Sequence, residues 1–218
     1  MFSSTKSVRH SLGKAFNLPN QLTSLRLLLS VALFALISAE YYIAAFVLFL
    51  VAVGTDWLDG YYARKFNQVT TLGRILDPFA DKVIVCGTFI FLVTTPGMLA
   101  DPLLLRAWMV VVIVGRELLV TALRSFLEER GSDFSANLSG KLKMVLQCAA
   151  AGSALVYMHF PPIFDRAEHV TGSTAPQWVY WFTVVSIWLA VILTVYSGAI
   201  YVWIAYKLLK QNTGTPHA

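Results

Sequence analysis

Apolar residues gather along this chain in six stretches, roughly 22–39, 41–62, 78–95, 103–127, 141–160 and 178–206. Each approaches the ~20 residues that a helix needs to cross a bilayer. The first two are separated only by SAEY, which predicts a tight turn. TTPGMLADP, residues 94–102, parts the third from the fourth and carries Pro and Gly as breakers. The longest connection, PPIFDRAEHVTGSTAPQ, residues 161–177, reads as an outer loop. Ahead of the first stretch, Val8, Leu12 and Phe16 recur every fourth residue beside Lys6, Arg9 and Lys14. A helix there would lie in the membrane interface. A transit-peptide composition is the competing reading, but the segment is short and runs straight into the first stretch. The expected fold is therefore all-α: an integral membrane bundle of six transmembrane helices with an N-terminal interfacial amphipathic helix. The expected division is 1–16 for that helix, 17–210 for the bundle and 211–218 for a tail.

Composition agrees with a membrane protein and leaves no room for a sizeable soluble domain. Of 218 residues 57% are hydrophobic and 13% charged, with mean hydropathy +0.64, whereas soluble domains carry about 25% charged residues. The net charge of +5 does not point to nucleic acid, because the basic residues sit in short connections, as at an anionic lipid face. With the N-terminus cytoplasmic, Arg106 and Arg166 fall on the outer side and the other fifteen of the seventeen Lys and Arg on the inner side. Positive-inside bias then puts both termini in the cytoplasm. The bacterial cytoplasmic (inner) membrane is preferred over a mitochondrial one. Cys86 and Cys148 lie far apart within apolar runs, and His10, His159, His169 and His217 are scattered. Neither set has the spacing of a disulfide framework or a zinc site.

One stretch breaks the apolar pattern. DWLDGYYARKFNQVTTLGRILDPFADK, residues 56–82, brings Asp56, Asp59, Asp77 and Asp81 to where membrane helices are expected. An acid at a helix centre costs about 2.5–3.5 kcal/mol on insertion scales, so acids there mark a functional site. Asp56, Asp59 and Ala63 stand at i, i+3 and i+7, one face of the second helix, and Asp77 and Asp81 at i and i+4, one face of the third. Pro78 suits a first turn, with Asp77 as the cap before it. The two helices run in opposite directions, so the carboxylate pairs can face each other near the cytoplasmic surface. Oxygen ligands without His or Cys suit hard cations such as Mg²⁺ or Mn²⁺. Four carboxylates can hold two such ions, the arrangement used for in-line displacement at phosphorus. Gly60 and Ala63 leave room for a ligand or for close helix packing, and Arg64 reaches either a phosphate or the headgroups.

These residues, Asp56-x2-Asp59-Gly60-x2-Ala63-Arg64-x8-Gly73-x3-Asp77-x3-Asp81, resemble the full signature of the CDP-alcohol phosphatidyltransferases. The resemblance implies six transmembrane helices, a homodimer and a cytoplasm-facing di-metal site. It also implies that Asp56, Asp59 and Asp77 are metal ligands, and that Asp81 is both a ligand and the base for the acceptor hydroxyl. Gly60, Ala63, Arg64 and Gly73 would contact the CDP portion, and CDP-diacylglycerol would be the donor.

The signature does not name the acceptor. NLPNQLTSLR (17–26), GRELLVTALRSFLEERG (115–131) and GKLKMVLQ (140–147) are similar to the phosphatidylglycerophosphate synthase branch, whose acceptor is glycerol 3-phosphate. Arg116 and Arg124 share roughly one helix face, and Lys141 and Lys143 open the next helix, so converging cations could hold an acceptor phosphate. Positive-inside anchoring is the other account of these residues. Asn20 and Thr23, assigned to the CDP side, match the family's opening motif or cap a helix. Arg26, inside an apolar run, is assigned to the acceptor phosphate. Met144 stands where that branch tends to have Thr. Serine, inositol phosphate or phosphatidylglycerol acceptors within the same family are the near alternatives. A membrane prenyltransferase would use another acid spacing. A cation-coupled transporter would spread its acids along a path through several helices.

Overall fold

The first helix, α1 (Leu18–Ser38), turns into α2 (Tyr42–Phe66) through a complete C-terminal capping motif. The computed structural model describes residues 18–66, 71–129, 138–160, 162–164 and 170–212, with side chains described at 24–55, 79–80, 82–126, 142–160, 163, 173–207 and 210. In the turn, Tyr41 N donates to Leu36 O at 2.9 Å and Glu40 N to Ile37 O at 3.0 Å, the paired bonds of a Schellman cap. That cap requires a left-handed residue, and Glu40 supplies it with φ 63°, a conformation that favours glycine. Glu40→Gly should therefore raise stability by about 0.5–1 kcal/mol, read as a higher thermal unfolding midpoint in detergent.

The chain continues through α3 (Thr71–Val93), a single-turn α4 (Pro96–Ala100), α5 (Ala107–Glu129), α6 (Leu138–Met158) and α7 (Gln177–Asn212). Between α6 and α7, β1 (Pro162–Phe164) pairs antiparallel with β2 (Val170–Ser173), with an irregularity between Ile163 and Phe164. Six long helices and the α1–α2 turn fall where the apolar pattern predicts, and three features differ. The longest connection of this otherwise helical chain holds a small β-ribbon of seven residues; Ile163, Phe164, Val170 and Thr171 are residue types that suit a pleated edge. The breaker-rich TTPGMLADP holds α4, with Pro96 at the start, where its missing N–H costs nothing. And α3 begins at Thr71, so Asp77 is not a cap and Pro78 lies inside the helix, leaving the carbonyl of Arg74 without its usual donor. Hydropathy marks where lipid begins, whereas the backbone ladder runs on through polar residues such as Arg74 and Asp77. The same reason carries α2 past residue 62 to Phe66 and α7 on to Asn212.

Within α7, Gln177–Lys207 is long and apolar enough by itself to cross a membrane. Shorter apolar pieces, Ser24–Ser38, Tyr42–Thr55, Lys82–Val93 and Leu142–Met158, mark α1, α2, α3 and α6 among the described residues. The expected N-terminal amphipathic helix lies outside them.

The chain divides into two units, Met1–Phe91 and Leu92–Ala218. In the first, Leu33, Ile37, Ala45, Phe49, Ala52, Ile84 and Phe89 form the buried core. Phe34 stacks on Phe91 with ring centroids 4.8 Å apart and an interplanar angle of 8°. Gly87 is what lets the Phe34 ring reach α3, since a Cβ there would lie 2.1 Å from its Cζ. Gly87→Ala should cost about 1–3 kcal/mol, as overpacking does, and Phe34→Leu in the same chain should return part of that loss. Additive unfolding free energies would show that the contact is not the cause.

In the second unit α7 packs against α5 and α6. Ala150, Ala151 and Ala154 on α6 and Ala190 on α7 are buried, and small residues let helix backbones approach closely. Ser153 Oγ lies 2.9 Å from Ser186 Oγ, and Gln147 Nε2 donates to Thr194 Oγ1 at 3.1 Å. Asp101 fastens the end of the unit where α7 begins: its Oδ1 accepts from Leu103 N at 2.8 Å and its Oδ2 from the Tyr180 hydroxyl at 2.7 Å.

Candidate active site

Positions 56, 59 and 63 occupy one unbroken helix, α2, and positions 77 and 81 stand one turn apart in α3. The helical spacing read from the sequence is therefore present in the backbone. The side chains of Asp56, Asp59, Gly60, Ala63, Arg64, Gly73, Asp77 and Asp81 lie outside the described residues, as does the expected opposition of the two carboxylate pairs. The donor set at these positions, four carboxylates without nitrogen or sulfur, fits a hard divalent cation. Asn20 and Thr23 lie within α1 and Lys141 within α6, again with side chains outside the described residues. Helix α1 begins at Leu18, so neither Asn20 nor Thr23 is its N-cap.

Arg26 is buried in α1 at 3% exposure. A charge so placed needs a partner of opposite sign or a ligand.

The second unit holds a cluster of buried polar side chains. Arg116, on α5, is 9% exposed; Lys143 and Gln147, one turn apart on α6, are 5% and 3% exposed. Glu117 joins them. Its Oε1 accepts from Arg116 Nη1 at 3.3 Å, from Lys143 Nζ in a short contact and from Gln147 Nε2 at 3.5 Å. Two cations and one anion leave this cluster net positive. A buried charge with several donors around it holds a fixed geometry, since losing any donor exposes the carboxylate to an uncompensated low-dielectric surround. From α7, Ser197 Oγ accepts from Arg116 Nη2 in a short contact, and the Tyr201 ring lies 5.3 Å from the Arg116 guanidinium carbon. Arg124 Nη2 donates to the Tyr201 hydroxyl at 3.4 Å.

Sequence reasoning placed Arg116, Arg124, Lys141 and Lys143 together; Arg116, Arg124 and Lys143 share one network, and the Lys141 side chain lies outside the described residues. That reasoning gave no role to Glu117, Gln147, Thr194, Ser197 or Tyr201. A signal for the last three was present: Thr194, Ser197, Gly198 and Tyr201 stand at i, i+3, i+4 and i+7 in an otherwise apolar run, a polar stripe along one helix face. Among the described residues no three His, Cys, Asp or Glu gather as a metal site, and Cys86 and Cys148 are unlinked thiols.

A sequence profile for CDP-alcohol phosphatidyltransferases matches residues 16–196. The chain belongs to that family. Among its relatives, the CDP-diacylglycerol–glycerol-3-phosphate 3-phosphatidyltransferase of Bacillus subtilis is 36% identical over 212 residues, covering 90% of this chain and 99% of the relative. The Escherichia coli K12 protein of the same name is 37% identical over 144 residues, or 62% of this chain and 74% of its own length. The fold resembles the crystal structure of a phosphatidylinositol phosphate synthase from Mycobacterium tuberculosis with CDP-DAG bound. That likeness has a TM-score of 0.58 at 18% identity and covers 93% of this chain and 94% of the other. Family membership makes this chain a transferase of phospholipid synthesis.

Proposed function

We propose that the protein transfers the phosphatidyl group of CDP-diacylglycerol to glycerol 3-phosphate, giving phosphatidylglycerophosphate and CMP. The observation that carries this is the match to the Bacillus subtilis enzyme of that name along nearly its whole length, together with the intact signature Asp56 to Asp81. The buried cationic cluster of Arg116 and Lys143 supports a phosphorylated acceptor over a neutral one, since converging cations bind phosphate most strongly where water is scarce.

Asp56, Asp59, Asp77 and Asp81 would hold two divalent cations. Mg²⁺ or Mn²⁺ bound there supplies positive charge against the pyrophosphate of the donor and the departing CMP. Asp81 takes the proton of the acceptor hydroxyl as its oxygen bonds to the phosphorus that carries the lipid. The phosphorus–oxygen bond to CMP breaks, and CMP leaves with that electron pair. Gly60, Ala63, Arg64 and Gly73, with Asn20 and Thr23, contact the CDP portion. Arg116, Arg124, Lys141, Lys143 and Arg26 hold the acceptor phosphate. The protein crosses the bacterial cytoplasmic membrane six times with both ends inside, as the distribution of Lys and Arg favours, and works as a homodimer.

The deciding experiment is Mg²⁺-dependent CMP release from CDP-diacylglycerol by the purified protein. Glycerol 3-phosphate, serine, inositol phosphate and phosphatidylglycerol are supplied in separate reactions. Release with glycerol 3-phosphate alone supports the proposal. Release with another acceptor keeps the family and discards this acceptor, and Met144 is then the first position to change to Thr.

A further inference from the structure

Three α7 residues surround Arg116. Ser197 accepts a hydrogen bond from its Nη2. Tyr201 lies against the guanidinium at 5.3 Å. Gly198 leaves room for the aliphatic stem: a Cβ at that position would stand 3.1 Å from Arg116 Cγ. Ser197 is 0% exposed and Tyr201 2% exposed, so both contacts are shielded from water, where hydrogen bonds to charged groups and cation–π contacts are strongest. Glu117 holds the guanidinium from the other side through Nη1. The Nε of Arg116 is buried and has no hydrogen-bond partner among the described residues. The guanidinium is thus fixed in place without being saturated by protein, the state of a group kept ready for a ligand. The polar stripe of α7 lies in the last third of the chain, where the signature and the acceptor-branch motifs do not reach.

Resting on the acceptor reading above, we propose that Ser197, Gly198 and Tyr201 are positioning residues. They hold the Arg116 guanidinium in the orientation that binds the acceptor phosphate, and so make α7 a determinant of acceptor affinity. They touch no reacting atom, and their effect passes through Arg116. Binding of CDP-diacylglycerol does not depend on them.

The test measures steady-state CMP release by the full-length protein in lipid–detergent micelles, varying glycerol 3-phosphate and CDP-diacylglycerol in turn. Ser197→Ala and Tyr201→Leu should each raise KM for glycerol 3-phosphate about tenfold, the scale of one hydrogen bond or cation–π contact to a buried charge. KM for CDP-diacylglycerol and kcat at saturation should stay within about twofold, a change too small to count as a lost contact. Ser197→Thr, which keeps the hydroxyl, should return KM to near the wild-type value, and Tyr201→Phe, which keeps the ring over Arg116 but gives up the hydroxyl that accepts from Arg124, should return most of the loss. If Tyr201→Leu does not fold, Gly198→Ala, which intrudes on the Arg116 stem from the same face, should raise KM for glycerol 3-phosphate in its place.

Wild-type protein that ignores glycerol 3-phosphate overturns the functional reading and this inference with it. Wild-type protein that uses it, with Arg116→Ala impaired and Ser197→Ala and Tyr201→Leu unchanged, overturns the inference alone. An equal rise in both KM values, or failure of Ser197→Thr to restore KM, assigns the three residues a structural role and also overturns it.

Discussion

Asp81→Asn should lower CMP release by about 10³-fold or more, because general-base catalysis alone contributes 10²–10⁴-fold and the same change weakens a cation ligand. Asparagine keeps the shape of the side chain and removes its charge and its ability to take a proton. The fold should be unaffected, with an unfolding midpoint at or above that of the wild type, since an acid in a membrane helix is destabilising by itself. The clearest measurement is CMP release with saturating Mg²⁺ at several pH values. A base that is absent leaves little activity at any pH, whereas a weakened cation site would be rescued by more Mg²⁺. Activity within tenfold of the wild type would end the assignment of Asp81 as the base.

The second large effect concerns Arg116. Arg116→Ala should raise KM for glycerol 3-phosphate by roughly 30–100-fold, the range expected for losing hydrogen bonds between a buried cation and a phosphate. KM for CDP-diacylglycerol should change little. Removal of the guanidinium also leaves Glu117 facing Lys143 and Gln147 without its arginine donor, so some loss of stability accompanies the kinetic change. Arg116→Lys separates the two effects. It restores the charge balance beside Glu117 but not the planar fork that reaches Ser197 and Glu117 together. Recovery of stability without recovery of KM is the expected outcome. Equal damage to both substrates would make Arg116 a structural residue.

The family and its carboxylate motif were readable from sequence for a physical reason. An acid in an apolar run is costly enough to stand out, and the i, i+3 and i, i+4 spacings of Asp56, Asp59, Asp77 and Asp81 survive any error of a few residues in helix boundaries. Those boundaries were misjudged where polar residues belong to helices, as at Thr71 to Asp77. Tertiary neighbours were harder to foresee. Nothing local to GRELL indicates that Glu117 will gather Arg116 from α5 and Lys143 and Gln147 from α6, because that meeting depends on which faces of two helices turn toward each other. The stripe of Thr194, Ser197, Gly198 and Tyr201 was visible as a pattern, but small polar residues in membrane helices are common at packing interfaces. Only the contact with Arg116 distinguishes these positions. The β-ribbon was hidden for the opposite reason, since short strands in a Pro-containing connection carry little periodic signal.

The hydrogen bonds between α6 and α7 give the two helices an address for each other. Between greasy surfaces in lipid, sliding one helix along another changes little, because tails replace side chains at almost no cost. Gln147 with Thr194 and Ser153 with Ser186 make that slide expensive at two separate heights. A shift of α7 by one turn, about 5.4 Å, would part both pairs at once and leave each serine only a carbonyl of its own helix. The register of α7 against α6 is thus set at two heights, and with it the level at which Ser197 and Tyr201 meet Arg116.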